Sequence, residues 1–195
     1  MSYNARSRIG WIIIGILFVT SSAFPQSEVI PKRIVKNNVI ISDSLPRISV
    51  AVNGSFKYLG RFPFKIRDVA AGERFVFVDE KKGKVKRMFI AQFEGFLPHI
   101  DDFYRYSFEN AETFGAHKFR HNTYAYSNKE SRENNPKGES ALTAEFLKEK
   151  GYILEDELMM SRFITVPQEN KKHELILYYF ENVSETKNRI SDFYN

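Results

Sequence analysis

The chain has 195 residues, 43% of them hydrophobic and 15% aromatic, and no cysteine. That is the composition of one globular domain with a real core; it excludes a disordered chain, a disulfide scaffold and a lipidated N-terminal cysteine. The formal charge of +5 is too mild to imply a polyanionic partner, and no nucleic-acid partner is expected.

Residues 1–23 read as a secretory signal peptide. Arg6 and Arg8 make a positive start, Ile9 to Val19 an apolar core, and Ser21-Ser22-Ala23 a small-residue cleavage site. The apolar run is shorter than the ~20 residues a membrane span needs, so membrane contact is expected only through this segment if it stays uncleaved. The implied location is the periplasm or the extracellular space, with a bacterial envelope favoured. Residues 24–46 carry Pro25, Pro31 and Pro46 around "NVIIS" and read as a linker or one edge strand.

The domain proper is expected over 47–183. "RISVAVNGSFKYLG" places two alternating runs around Asn53-Gly54, the dipeptide of a tight hairpin turn. "ERFVFVDEKKGKVKRMFIAQFEGFLP" repeats that logic, with strands at Arg74 to Val78 and Val85 to Phe96 joined at Gly83. "DDFYRYSFE" and "AHKFRHNTYAYS" are further strand candidates, and "MMSRFITVP" with "HELILYYFENV" makes a last hairpin. The apolar-free stretch Asn128 to Ser140 reads as a solvated loop. A helix follows at about 140–150, with Ser140 to cap it, Leu142, Phe146 and Leu147 as its stripe, and Gly151 for the left-handed C′ position. Residues 184–195 read as a tail or short helix. The sum is a β-dominated α+β fold of seven or eight antiparallel strands, built as a strongly curved sheet or a partly open β-barrel around one main inserted helix.

Polar residues interrupt the apolar rows of this sheet. Successive strand residues point to opposite faces, so Gln92 and Glu94 share a row with Met88 and Ile90. Arg162 likewise shares one with Met160 and Ile164, and Glu174 one with Ile176 and Tyr178. A buried charge costs several kcal/mol without a partner, so Glu94, Arg162 and Glu174 are expected to meet in one interior, with Gln92 and Tyr178 completing the hydrogen bonds.

Three functions fit such a group. It can be an ion-pair network that fixes strand register in a structural or interaction protein of the envelope, docking on another envelope protein. It can be the polar part of a pocket for a small organic or lipid-like ligand. Or it can be an acid–base site of a hydrolase or isomerase using Glu94 or Glu174 with Arg162. The reading adopted is a non-enzymatic exported binding module with Gln92, Glu94, Arg162, Glu174 and Tyr178 as ligand contacts and 128–140 as a lid. No cofactor is expected, because the sequence holds no phosphate-binding Gly-rich loop, and no metal, because it lacks zinc-ligand spacing. His117 and His121 would lie ~13 Å apart along a strand, too far to share a metal. No G-x-S-x-G nucleophile is present.

Overall fold

The computed structural model describes residues 33–184, 186 and 189–193, and residues 1–23 lie outside them. Among the described residues, ten strands form two antiparallel sheets. Strands β1 (Arg33–Lys36), β2 (Val39–Ser42) and β3 (Ile48–Ala51) make a small sheet in that order. The large sheet contains β4 (Lys57–Ile66), β5 (Ala70–Lys81), β6 (Lys84–Phe96), β7 (Glu112–Phe114), β8 (His117–Ser127), β9 (Glu157–Thr165) and β10 (His173–Asn182). Its order is β4-β5-β6-β10-β9-β8-β7, two meanders joined where β6 pairs with β10.

Asn53-Gly54 turns the chain but joins two sheets rather than two paired strands. Asn53 Oδ1 accepts from Ser55 N at 2.9 Å, and the Asn53 carbonyl accepts from Phe56 N at 3.0 Å. This local turn lets Phe56 plunge into the core, so β3 and β4 diverge. The turn after β5 does close a hairpin. Lys82 and Gly83 both take positive φ, 53° and 79°, as a two-residue turn between Lys81 and Lys84 requires.

The expected closure or strong curl of the sheet does not occur. The aromatics on both faces have a different cause: each face is covered by its own layer. Phe75, Phe77, Ala91, Phe93 and Leu175 on one face pack against Ile40 and Phe56, with Val35, Ile48 and Val50 of the small sheet around them. Arg33 clamps this contact. Its Nη1 donates to Glu73 Oε1 at 2.9 Å, its Nη2 to the Leu45 carbonyl at 2.6 Å, and its guanidinium lies 4.3 Å from the centre of the Phe93 ring. On the other face, Val76, Val78, Met88, Ile90, Leu158, Met160 and Phe180 pack against Leu147 of a helix.

That helix, α2, spans Glu139–Glu149 and follows α1 (Asn128–Asn134). The latter occupies the stretch expected to be a loop; Ser127 accepts from Glu130 N at 3.1 Å and caps it, an interaction that needs no apolar residue. The end of α2 agrees with the sequence. Gly151 has φ 81°, Tyr152 N donates to Leu147 O at 2.9 Å and Gly151 N to Lys148 O at 3.0 Å, while Tyr152 packs onto the core. Its start differs, because Gly138 and not Ser140 is the cap residue. Ser140 instead takes hydrogen bonds from Tyr126 OH at 2.7 Å and from Ser131 Oγ at 3.0 Å.

Candidate functional site: a buried carboxyl pair beneath an aromatic strap

All five polar residues singled out in the sequence lie on the helix-covered face of the large sheet. Antiparallel pairing of β6 with β10 sets Glu94 directly opposite Glu174, and pairing of β10 with β9 sets Tyr178 opposite Arg162. Gln92, Glu94 and Glu174 are 1%, 8% and 2% exposed, so their polar atoms depend on protein partners.

The partner of Gln92 and Glu94 is not Arg162. It is Arg74 of β5, opposite Gln92 in the register and 7% exposed. Arg74 Nε donates to Gln92 Oε1 at 2.6 Å, and Gln92 Nε2 donates to Glu94 Oε2. The amide thus relays between guanidinium and carboxylate: it accepts on one side and donates on the other. Arg74 Nη1 reaches across to α2, donating to Thr143 Oγ1 at 2.7 Å and to the Glu139 carbonyl at 2.8 Å. Burial lowers the Arg74 pKa, opposed by the field of Tyr178, Glu139 and Glu94. Gly72, opposite Glu94, keeps the strands close here, since a Cβ at that position would lie 2.3 Å from the Phe93 carbonyl and 2.7 Å from the Phe64 ring.

A second covering element is the extended segment 101–108. It was expected as a strand, but it makes no ladder and crosses the sheet face as a strap. Lys172 Nζ holds its start through the Ile100 carbonyl at 3.2 Å and Asp101 at 3.3 Å, and Tyr104 N donates to Lys171 O at 2.9 Å. Alternation turns Phe103, Arg105 and Ser107 outward while Tyr104, Tyr106 and Phe108 are partly buried. Tyr104 packs on Phe96 with ring centres 4.7 Å apart and donates its hydroxyl to Glu94 Oε1 at 2.9 Å. Tyr106 stacks beside it at 6.2 Å and interacts with Glu174. Burial, then the nearby carboxyls, push both tyrosine pKa values upward.

Glu174 is the unusual group. Its Oε2 is buried with no hydrogen-bond partner among the described residues, and its carboxyl interacts with that of Glu94. Desolvation, followed by the contact with Glu94 and its charge, raises the Glu174 pKa, to about 9; Tyr106 and Arg162 act the other way. Two carboxyls facing each other out of water are stable when one keeps its proton and donates it to the other. Burial and the facing carboxyl thus both favour the protonated form of Glu174.

Arg162 lies on the same face, half-buried, with its Nε donating to Asn122 Oδ1 at 3.2 Å and its guanidinium 5.9 Å from the centre of the Tyr124 ring. It acts on Glu174, Tyr106 and Tyr178 through its charge, without an ion pair. Tyr178 lies beside Arg74, whose guanidinium is 5.4 Å from its ring centre. Two open clefts of about 310 and 300 Å³ lie elsewhere, one beside Lys86, Arg87 and Glu181, the other beside Arg132, Ala144 and Lys148.

Sequence reasoning missed Arg74, and it reached Tyr104 and Tyr106 only as members of the aromatic run "DDFYRYSFE". Arg74 shares its row with Val76 and Val78, the same signal that exposed Gln92 and Glu94, but it stands near the polar beginning of the strand as read from sequence. The two tyrosines carry no signal that separates them from core aromatics. His121, one of the histidines weighed for metal, stacks on Phe163 with ring centres 4.1 Å apart and contacts Glu112 Oε1 at 3.0 Å. Comparison with known proteins found no family model, no curated protein and no solved structure that matches this chain.

Proposed function

We propose that the protein is an exported, non-enzymatic module that binds a small organic ligand on the helix-covered face of its large sheet, beside Arg162, Glu174 and Tyr178. Gln92 and Glu94 support this surface from below, tied to Arg74 and Tyr104. The observation that carries the reading is the half-buried Arg162. It has five N–H donors and spends one, on Asn122, with no carboxylate paired to it among the described residues. A guanidinium so placed retains binding capacity that a purely structural network would have consumed. Export rests on residues 1–23 alone.

The test is native mass spectrometry of the full chain purified gently from its own host, beside the Arg162→Gln variant. A bound small molecule in the wild type, reduced at least tenfold in the variant, is the expected result. An empty wild type, together with a Glu94→Ala variant that merely unfolds more easily, would assign the cluster to structure.

One observation favours an acid–base enzyme as a second reading. A carboxyl held protonated beside another carboxyl is a poised proton donor, provided a substrate can reach it under the strap. Comparison of wild type and Glu94→Gln on generic ester, glycoside and lactone substrates decides it. Turnover lost by at least a hundredfold in the variant is the expected signature; equal turnover, or none in either protein, removes this reading.

A further inference from the structure

Arg162 is not the sole unpaired cation on this face. In the β8–β9 pairing, Arg120 stands opposite Ile164 and Asn122 opposite Arg162, so the two arginines are diagonal neighbours on the same side of the sheet. Diagonal cross-strand neighbours are ~7–8 Å apart, within reach of one another for long side chains. Each lies near a tyrosine ring: Arg120 with its guanidinium 5.9 Å from the centre of Tyr106, Arg162 at 5.9 Å from Tyr124. Among the described residues neither has an acidic partner within ion-pair distance, and the Arg120 side chain makes no hydrogen bond. Tyr124, 36% exposed, and the exposed Arg120 leave the shelf open to solvent at the β8 side.

Neither Glu94 nor Glu174 forms an ion pair with these two arginines. Glu94 is already engaged by Gln92 and Tyr104. Glu174 faces Glu94, and a proton retained there removes a charge that would otherwise act on Arg162. The face thus presents two guanidinium planes and two flat phenol rings with no anion paired to either arginine among the described residues. A planar guanidinium fork fits a carboxylate with two parallel hydrogen bonds, and a phenol ring gives a flat ligand a stacking surface.

We infer that Arg120 and Arg162, flanked by Tyr106 and Tyr124, form the recognition site for a carboxylate attached to a ring, an aromatic or sugar acid. This rests on the binding-module reading and names its ligand class. Asn122, bonded to Arg162 Nε, positions the guanidinium so that its two terminal amino groups face the ligand.

The test is an NMR titration of the full chain, observing the Nε–H signals of arginine side chains, with benzoate and glucuronate as probes and benzamide and glucose as their uncharged counterparts. Both acids are expected to shift the Arg120 and Arg162 signals saturably at millimolar concentration, at least tenfold more tightly than the neutral compounds. Arg162→Gln should lose this binding while keeping its melting temperature within about 2 °C, as for a half-exposed side chain outside the core. Saturable binding of the neutral probes equal to that of the acids would overturn the anion inference and leave the binding module standing. So would acid-induced shifts that sodium chloride reproduces at equal concentration. A ligand found by native mass spectrometry that bears no acid group would do the same. Absence of any response, with an empty protein by mass spectrometry, would overturn both.

Discussion

Replacing Arg74 by leucine is expected to cost about 3–5 kcal/mol, the range for breaking a buried charge network from one side. The value follows from what the guanidinium alone satisfies. Thr143 already donates to the Glu139 carbonyl at 2.7 Å, so those two groups keep each other when Arg74 is gone. Gln92 Oε1 does not: it is 1% exposed, Arg74 Nε is the donor it accepts from, and the amide it belongs to is the group that holds Glu94. The loss therefore leaves an unpaired acceptor and an uncompensated carboxylate in the same interior. The measurement is urea unfolding of wild type, Arg74→Leu, Gln92→Leu and the double variant. The double variant should be more stable than the sum of the single losses predicts, by roughly 1–3 kcal/mol, because it removes both ends of one interaction. A single-variant cost below about 1 kcal/mol, the size of an ordinary surface change, would mean that Arg74 is not the counter-charge of this cluster.

Stability should fall as pH rises across the neutral range, and Glu174 should be the cause. Its folded-state pKa lies above its unfolded value of ~4.3, so between that value and about 9 the native protein binds a proton that the unfolded chain has released. The contribution is complete below pH ~4.3 and is lost as pH climbs toward the folded pKa, at up to ~1.4 kcal/mol per pH unit for one proton. Because Glu174 shares its field with Glu94 and the strap can relax, the expected net loss between pH 5 and pH 8 is on the order of 2 kcal/mol, or roughly 4–8 °C in Tm for a domain of this size. Glu174→Gln should flatten that slope, since the amide donates to Glu94 without taking up a proton, and should be the more stable protein at pH 8. Calorimetry of both proteins at several pH values checks this. A flat wild-type profile, or a variant that keeps the slope, would show that the proton resides elsewhere.

Arg74 and Glu174 differ in how plainly the sequence marks them. Glu174 and Glu94 stand out in the sequence because each breaks an apolar row, and the row is set by alternation along a single strand. Arg74 breaks a row too, but its position near the beginning of "ERFVFVDE" makes it resemble a strand end; in the structure β5 begins earlier, at Ala70, and the residue lies inside. Aromatics on both faces were equally visible, yet they do not imply a curled sheet. An open sheet buries both faces when two separate layers are available, and here the small sheet and α2 supply them.

By itself the sequence determined what depends on neighbours along the chain: the β5–β6 hairpin at Gly83, the helix ended by Gly151, the β-dominated α+β class, and the apolar row that each of Gln92, Glu94, Arg162 and Glu174 interrupts in its own strand. Only the tertiary structure decided who meets whom. Pairing of β6 with β10 set carboxyl against carboxyl, when charge alone would have matched either one with Arg162. The strap then brought tyrosine hydroxyls over the pair. The physical reason is that alternation assigns a side chain to a face through local sterics, while the partner on that face comes from strand order, which many weak long-range contacts select together and no short stretch of sequence encodes.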